Sequence, residues 1–250
     1  MKQRILIGSD PEVFVFDEGR DHFISAHNLI PGTKEEPYKV IRGAIQRDGV
    51  AAEFNIDPAA SKGEFVSNIQ RMMKVLQRTV SEVSKSYSLR AIPTCWFPQD
   101  YFDSLPDQVK ELGCNPDWNA YTRDRNAPPQ TDKPFRTGSG HIHFGWTMHE
   151  DCETGNHFAA CVELTRLLDK TLYLDSLTWD RDETRRELYG KIGAFRPKHY
   201  GLEYRVLSNA FLNSPKNVAR VYEIAHEVAS DFFGYSRAMD DGVTYHEEVA

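Results

Sequence analysis

No stretch of this sequence approaches the roughly 18 consecutive apolar residues that a membrane-spanning helix requires, and the lead-in from Met1 to Ile7 is too short for a secretion signal. A cytoplasmic protein with no membrane partner is therefore expected. Cysteine is scarce. Cys95, Cys114, Cys152 and Cys161 show neither Cys-x-x-Cys spacing nor the density of a disulfide scaffold, so free thiols in a reducing compartment are expected and a structural zinc site is not. Positive charge is in deficit, and the net charge of −7 repels nucleic acid and anionic membranes as a whole, although a local cationic patch can still attract a phosphate. The chain also lacks a Gly-x-x-x-x-Gly-Lys-Ser/Thr loop, a Gly-x-Gly-x-x-Gly turn and a Gly-x-Ser-x-Gly elbow. Those absences argue against P-loop and Rossmann nucleotide sites and against a serine-elbow hydrolase. Internal repeats and low-complexity tracts are absent too.

What is present is enough for a large core: 250 residues with 40% hydrophobic content, expected to form a single catalytic domain over residues 1–250. Residues 4–16 read as a central strand with a polar middle. Residues 43–56 read as a hairpin around Asp48-Gly49. Phe65, Ile69, Met72, Met73, Leu76, Val80 and Val83 recur at helical spacing behind a Ser61 cap with Glu64 three residues later. Leu89 to Phe97 reads as a strand, residues 98–134 as an irregular insertion, and Arg136 to Trp146 as a strand entered through glycines. A helix is expected from about residue 154 to 174, a charged loop over 180–198, a strand from Leu202 to Leu207, and a last helix from Pro215 to Phe233. Strands interrupted by long helices imply an α+β fold with helices packed on an antiparallel sheet.

Asp10 and Glu12 stand two apart, so an extended chain projects both carboxylates from one face, with Pro11 between them. Two acids aimed into one space repel each other unless a cation lies between them. The bland alternative is an acidic turn. Glu53 sits inside a run suited to a packed sheet, where an unpartnered carboxylate is expensive to bury. Asp48 and Gln46 lie nearby and are assigned to the turn. In Gly138-Ser139-Gly140-His141-Ile142-His143-Phe144-Gly145 the imidazoles alternate with apolar residues, so one strand face carries both; the preceding glycines permit close approach of a ligand, and a metal or phosphate site follows. Glu203 and Arg205 again share a strand face, against the alternative of a surface ion pair contributing about 0–1 kcal/mol. Upstream, Arg185, Arg186, Lys191, Arg196 and Lys198 gather in an otherwise acidic chain. Arg205 is the foremost phosphate candidate, because a strand fixes its direction, while a solvated basic face remains open for Arg185 and Lys198. His149, His157, His199, His226 and His246 lack comparable neighbours and are read as surface or core residues.

Taken in order, Gly8-Ser9-Asp10-Pro11-Glu12, Glu53-Phe54-Asn55, Gly140 to Gly145 and Glu203-Tyr204-Arg205 resemble the glutamine synthetase and glutamate-cysteine ligase superfamily, and more closely its phage-associated amidoligases, the COOH-NH2 ligases of type 2. Gly32-Thr33-Lys34, Asp48-Gly49-Val50, Gly113-Cys114-Asn115-Pro116-Asp117 and Leu188-Tyr189-Gly190-Lys191 strengthen the closer match, over roughly residues 7–215. The resemblance implies a glutamine synthetase-like catalytic domain with helices on the convex face of the sheet and ATP with magnesium or manganese on the concave one. It implies that Glu12 and Glu53 hold one metal and that Asp10, His141 and Glu203 hold another. It further implies that His143, Arg205, Arg196 and Lys191 lie by the nucleotide and that Glu53 and Arg205 are essential to catalysis. The first position is Asp10 where the synthetases usually carry glutamate, one methylene shorter in reach. The implied reaction joins a small-molecule or peptide carboxylate to an amine through an acyl phosphate. A metal-dependent phosphoesterase or nuclease, an inactive nucleotide-binding module and a purely structural sheet are the rival readings.

Overall fold

The computed structural model describes residues 5–110, 116–127, 133–147, 152–153 and 155–234. Strands come first: β1 (Leu6–Ser9), β2 (Glu12–Asp17), β3 (His22–Ile24), β4 (Tyr38–Val40), β5 (Gly43–Asp48) and β6 (Ala51–Ile56). The long helix α1 (Lys62–Val83) follows, capped by Ser61, whose side chain accepts from Glu64 N. Next are β7 (Tyr87–Arg90), β8 (Thr94–Trp96), the short helices α2 (Gln99–Asp103) and α3 (Asp107–Lys110), β9 (Trp118–Asn119), β10 (Phe135–Thr137) and β11 (Ile142–Gly145). Helix α4 (Gly155–Leu168) runs through a π-helical turn, Asp169–Tyr173, into α5 (Leu174–Ser176). The chain continues with α6 (Glu183–Leu188), β12 (Ala194–Lys198), β13 (Gly201–Tyr204), a 3₁₀ turn and α7 (Pro215–Phe232). Among the described residues no helix is long and apolar enough to cross a membrane.

All described strand pairs are antiparallel, so the fold is a mixture of helix and antiparallel sheet, but the strands divide into more than the one sheet expected. One sheet has the order β1-β11-β13-β12-β9; a second runs β3-β2-β6-β5-β4 with β7 also paired to β2; β8 and β10 form a two-stranded ribbon. The strand expected over residues 4–16 breaks at Asp10-Pro11, where proline has no N–H to donate, and its halves enter different sheets. The join is stitched by Glu12 N donating to Ser139 O at 2.9 Å and by Phe54 N donating to Pro11 O at 3.2 Å. Residues 136–146 likewise split between the ribbon and the first sheet, and residues 89–97 between β7 and β8.

Two stretches read as irregular contain regular elements. Residues 180–198 hold α6 and β12: Asp182 caps the helix by accepting from Arg185 N at 2.9 Å, and burial of the Arg185 side chain organises a segment whose charge had suggested a solvated loop. The described part of 98–134 contains α2, α3 and β9. At the β5–β6 turn, Gly49 has φ 55°, as the expected hairpin requires.

Period-two alternation sorts the sheet residues between a core and a cavity. Ile142, Phe144, Leu202 and Tyr204 of the first sheet and Ile45, Ala52, Phe54 and Ile56 of the second join one hydrophobic core with α1, α4 and α7. The intervening His143, Glu203, Gln46 and Glu53 line a cavity of about 560 Å³. The same alternation that fills the core therefore delivers polar side chains to one shared cavity.

Candidate active site

Two groups of potential metal ligands stand in the cavity. Asp10, His141 and Glu203 form one, and Glu12, Asp48 and Glu53 the other; within each group, ligand atoms lie within 4.8 Å of one another. The bend at Pro11 separates Asp10 from Glu12, so they serve different groups instead of sharing one strand face. Strand register supplies the rest: Glu12 is paired with Glu53 across β2–β6, Gln46 with Glu53 across β5–β6, and Glu203 with both His143 and Arg196.

In the first group, His141 Nδ1 lies 3.4 Å from Asp10 Oδ1 and 3.5 Å from Glu203 Oε1, and His143 Nε2 lies 3.0 Å from the same Asp10 oxygen. Asp10 Oδ1 and both imidazole Nε2 atoms are buried without an aligned hydrogen-bond partner. His143 Nδ1 is fixed by the Tyr200 hydroxyl at 2.6 Å. Burial pushes the His141 pKa down to about 4, with the Arg205 charge adding to the effect, so its ring is neutral and able to ligate. Burial alone would raise Asp10 and Glu203, but the histidines beside them outweigh it and hold both carboxyls below their ordinary values. Burial would lower His143, yet the Asp10 charge wins and raises it.

The second group is richer in acid. Ser139 N donates to Glu12 Oε2 at 2.9 Å, Gln46 Nε2 donates to Glu53 Oε1 at 3.0 Å, and Lys34 Nζ lies 3.6 Å from Asp48 Oδ2. These partners do not neutralise three carboxylates. Burial, followed by the Asp48 charge, pushes Glu12 up to about 7, and burial followed by the charges of Asp10, Asp48 and Glu12 raises Glu53 well above the usual range. Such strain is what a divalent cation relieves. The all-oxygen group fits magnesium or manganese, while the group with an imidazole and orphaned buried atoms also fits manganese.

Around Glu203 the charge is reversed. Arg196 Nη1 lies 3.2 Å and Lys198 Nζ 2.9 Å from Glu203 Oε2. Arg205 donates to Glu203, to the Tyr189 hydroxyl and, through Nε at 3.1 Å, to Asp117 Oδ2. Arg205 follows the last residue of β13, but its N–H continues the ladder by donating to Ala194 O at 3.0 Å.

Of the residues singled out from sequence, Asp10, Glu12, Glu53, His141, His143, Arg196, Glu203 and Arg205 all line this cavity. Lys191 does not. It is exposed in the turn between α6 and β12, bracketed by Gly190 and Gly193 at positive φ. Arg185, left open as a solvated residue, is fully buried and donates to the carbonyls of Val206 and Leu207 at 2.8 and 2.6 Å; Lys198 lines the cavity. The glycines before His141 also act differently from expectation. A Cβ on Gly138 would meet Asn209 Nδ2 at 2.3 Å, and one on Gly140 would meet Ser208 O at 2.4 Å, so they admit the chain's own packing. Asp48, assigned to the turn, belongs to the acidic group; Asp117 and Tyr189 stood in quoted motifs without a role assigned, and Tyr200 was not singled out. Alternation along β5 from Gln46 to Asp48, opposite Glu53, was the signal for Asp48. His149, His246, Cys114 and the Gly113-Cys114-Asn115 part of its motif lie outside the described residues.

Residues 128–249 match the family described as phage phiEco32-like COOH.NH2 ligase-type 2, which supports the resemblance read from the motifs. The matched stretch holds His141, His143, Arg196, Glu203 and Arg205, while Asp10, Glu12, Asp48 and Glu53 precede it. No curated protein matches the sequence.

Proposed function

From a chain whose residues 128–249 match a family of COOH-NH2 ligases, we propose an ATP-dependent carboxylate–amine ligase with a glutamine synthetase-like catalytic domain. The observation that carries this reading is the meeting, in one cavity, of two ligand groups with a cationic cluster on Glu203. A carboxylate is a poor electrophile and is repelled by a triphosphate; two unit charges 4 Å apart interact by about 4 kcal/mol at an effective dielectric near 20. The chain offers positive charge to offset that repulsion. Arg196, Lys198 and Arg205 gather around Glu203 and Asp117.

In this reading Glu12, Asp48 and Glu53 hold one divalent ion, and Asp10, His141 and Glu203 a second. The ions, magnesium or manganese, supply Lewis-acid neutralisation of phosphate charge. An oxygen of the substrate carboxylate attacks the γ-phosphorus, the bond to the β–γ bridging oxygen breaks, and ADP leaves. The amine then attacks the acyl carbon, phosphate departs and the amine loses a proton, leaving an amide. Arg205 and Arg196 stabilise the transferred phosphoryl oxygens, and the Tyr200 contact orients His143 toward them. A reaction fed by ATP places the protein in the cytoplasm of a bacterium or a phage-infected host.

Hydroxylamine provides a general test as a surrogate amine. Incubation with ATP, magnesium and a panel of carboxylic acids is expected to yield a hydroxamate and an equal amount of ADP. Phosphodiester hydrolysis that proceeds without ATP, with no hydroxamate from any acid, would replace the ligase reading with a phosphoesterase.

A further inference from the structure

The Gly32-Thr33-Lys34 run, so far without a role, places an ammonium on the wall of the cavity. The loop between β3 and β4 that carries it is docked on β5. Gly32 has φ 82°, a Cβ there would meet Tyr38 N at 2.5 Å and Ile45 O at 2.7 Å, and Gly32 O accepts from Arg47 N at 3.4 Å. Thr33 N donates to Glu36 O at 3.0 Å and Glu36 N donates to Thr33 Oγ1 at 3.1 Å, closing a turn around Lys34. The backbone is thus held beside Asp48, while the Lys34 side chain stays 55% exposed and its Nζ lies 3.6 Å from Asp48 Oδ2. That separation exceeds the roughly 2.7–3.2 Å of an N–H···O hydrogen bond, and so exposed an ion pair is weak. A four-carbon stem lets the ammonium turn away at little cost.

Two sets of charges bear on Lys34. Burial would lower its pKa, yet Asp48, then Glu53 and Glu12, raise it, so one ammonium acts on all three acids of the second ligand group; the Arg196 charge, from the other sheet, opposes them. We propose that Lys34 selects a divalent cation already complexed with a phosphate-bearing anion over the bare cation. Toward the bare ion it is a like charge held against the same carboxylates, and repels it. Toward the complex it is a point-charge partner for phosphate oxygens, released from Asp48 as that acid turns to the ion. Lys34 and Arg196 also repel each other across the cavity, and an anion between them removes that conflict. The loose contact with Asp48 is what makes the exchange possible.

This inference rests on the proposed function only in taking Glu12, Asp48 and Glu53 as ligands of a divalent ion, so its test needs neither ATP nor turnover. Manganese is titrated calorimetrically into the metal-stripped full chain, and pyrophosphate into the same chain at saturating magnesium. Lys34→Met is expected to bind bare manganese at least 3-fold more tightly than the parent and magnesium pyrophosphate at least 10-fold more weakly. Lys34→Arg, which keeps the charge, is expected to return both constants toward the parent, and circular dichroism should match for all three proteins. Shifts of the same sign in Lys34→Met, or constants equal to the parent's, overturn the proposal; if Glu53→Gln still loses manganese, the ion site itself stands. Absence of manganese binding by every protein removes the ligand group and this inference with it. Opposite shifts in a protein that forms no hydroxamate would instead retain the role of Lys34 and remove the ligase reading.

Discussion

Glu12 on β2 and Glu53 on β6 are direct cross-strand partners, so backbone pairing sets two carboxylates side by side on the cavity wall. Opposed residues of an antiparallel pair have Cβ atoms about 4.5–5.5 Å apart, and like charges so placed are destabilising. The register prevents their separation, and Asp48 adds a third acid within the same 4.8 Å grouping.

Glu53→Gln follows directly from that relationship. The amide retains the oxygen that accepts from Gln46 and removes a carboxyl that is costly to ionise beside Glu12 and Asp48, so the metal-free protein is expected to gain on the order of 1 kcal/mol. The parent's melting temperature should rise when manganese is added, because an ion that binds only the folded state stabilises it. The variant should lose most of that rise and all ligation. Equal manganese-induced shifts in both proteins would remove Glu53 from the ligand set.

Glu12 connects the same site to pH. Its carboxyl is pushed up to about 7 by burial and then by Asp48, so near neutrality part of the population is protonated and must lose that proton to bind a cation. Manganese binding at pH 6.5 is expected to release about one proton or more, since Glu53 in the same group is raised as well, and affinity should fall as pH drops below 7. Calorimetric titration in two buffers of unlike ionisation heat measures the release. Heats independent of buffer would contradict it, and Glu12→Gln should reduce the dependence.

Arg205 requires a gentler substitution than alanine. The side chain is 3% exposed and paired with buried Glu203 and Asp117. Breaking a buried pair from one side costs about 3–5 kcal/mol, so alanine would mix unfolding with lost chemistry. Arg205→Lys keeps the charge but loses the planar fork. It should remain folded by circular dichroism and melting, while ligation falls about 100-fold, as when an oriented donor to a transition-state oxygen is removed. Undiminished turnover in the lysine variant would detach Arg205 from the phosphoryl group.

Local alternation made much of the site legible in the sequence. His141, His143, Glu203 and Arg205 sit where a period of two places them, and the division of the acids into a Glu12–Glu53 group and an Asp10–His141–Glu203 group came from the family resemblance and not from any local pattern. What could not be read depended on contacts distant in sequence. Asp117 reaches Arg205 across 88 positions, a contact that its motif did not reveal, and Tyr200 meets His143 across 57 with no local pattern to announce it. The division into separate sheets was hidden for a related reason: Pro11 and the residues between Thr137 and Ile142 look like interruptions within strands, and only pairing with distant partners shows that each divides two sheets. Charge misled over 180–198, because the burial of Arg185 depends on carbonyls of Val206 and Leu207 more than 20 positions away.

Asp169 offers a test of the fold that is independent of the active site. It opens the π-helical turn after α4, is 2% exposed, and accepts a hydrogen bond from the Tyr204 hydroxyl at 2.7 Å, tying that turn to β13. Burial raises its pKa from 3.8 to about 6 despite the hydrogen bonds that favour the carboxylate. Because the folded value is the higher one, the native state binds more protons than the unfolded chain between those limits, and stability falls as pH rises through them. The full difference corresponds to about 3 kcal/mol, of which about 1 kcal/mol falls between pH 5 and 7. Asp169→Asn preserves an acceptor for Tyr204 and removes the titration. Urea unfolding at pH 5 and 7 should therefore show the variant gaining about 1 kcal/mol relative to the parent across that interval. A constant difference between the two proteins would mean that the Asp169 carboxyl is ionised in the folded state throughout the interval, and that the Tyr204 contact joins a hydroxyl to a charged partner at both pH values.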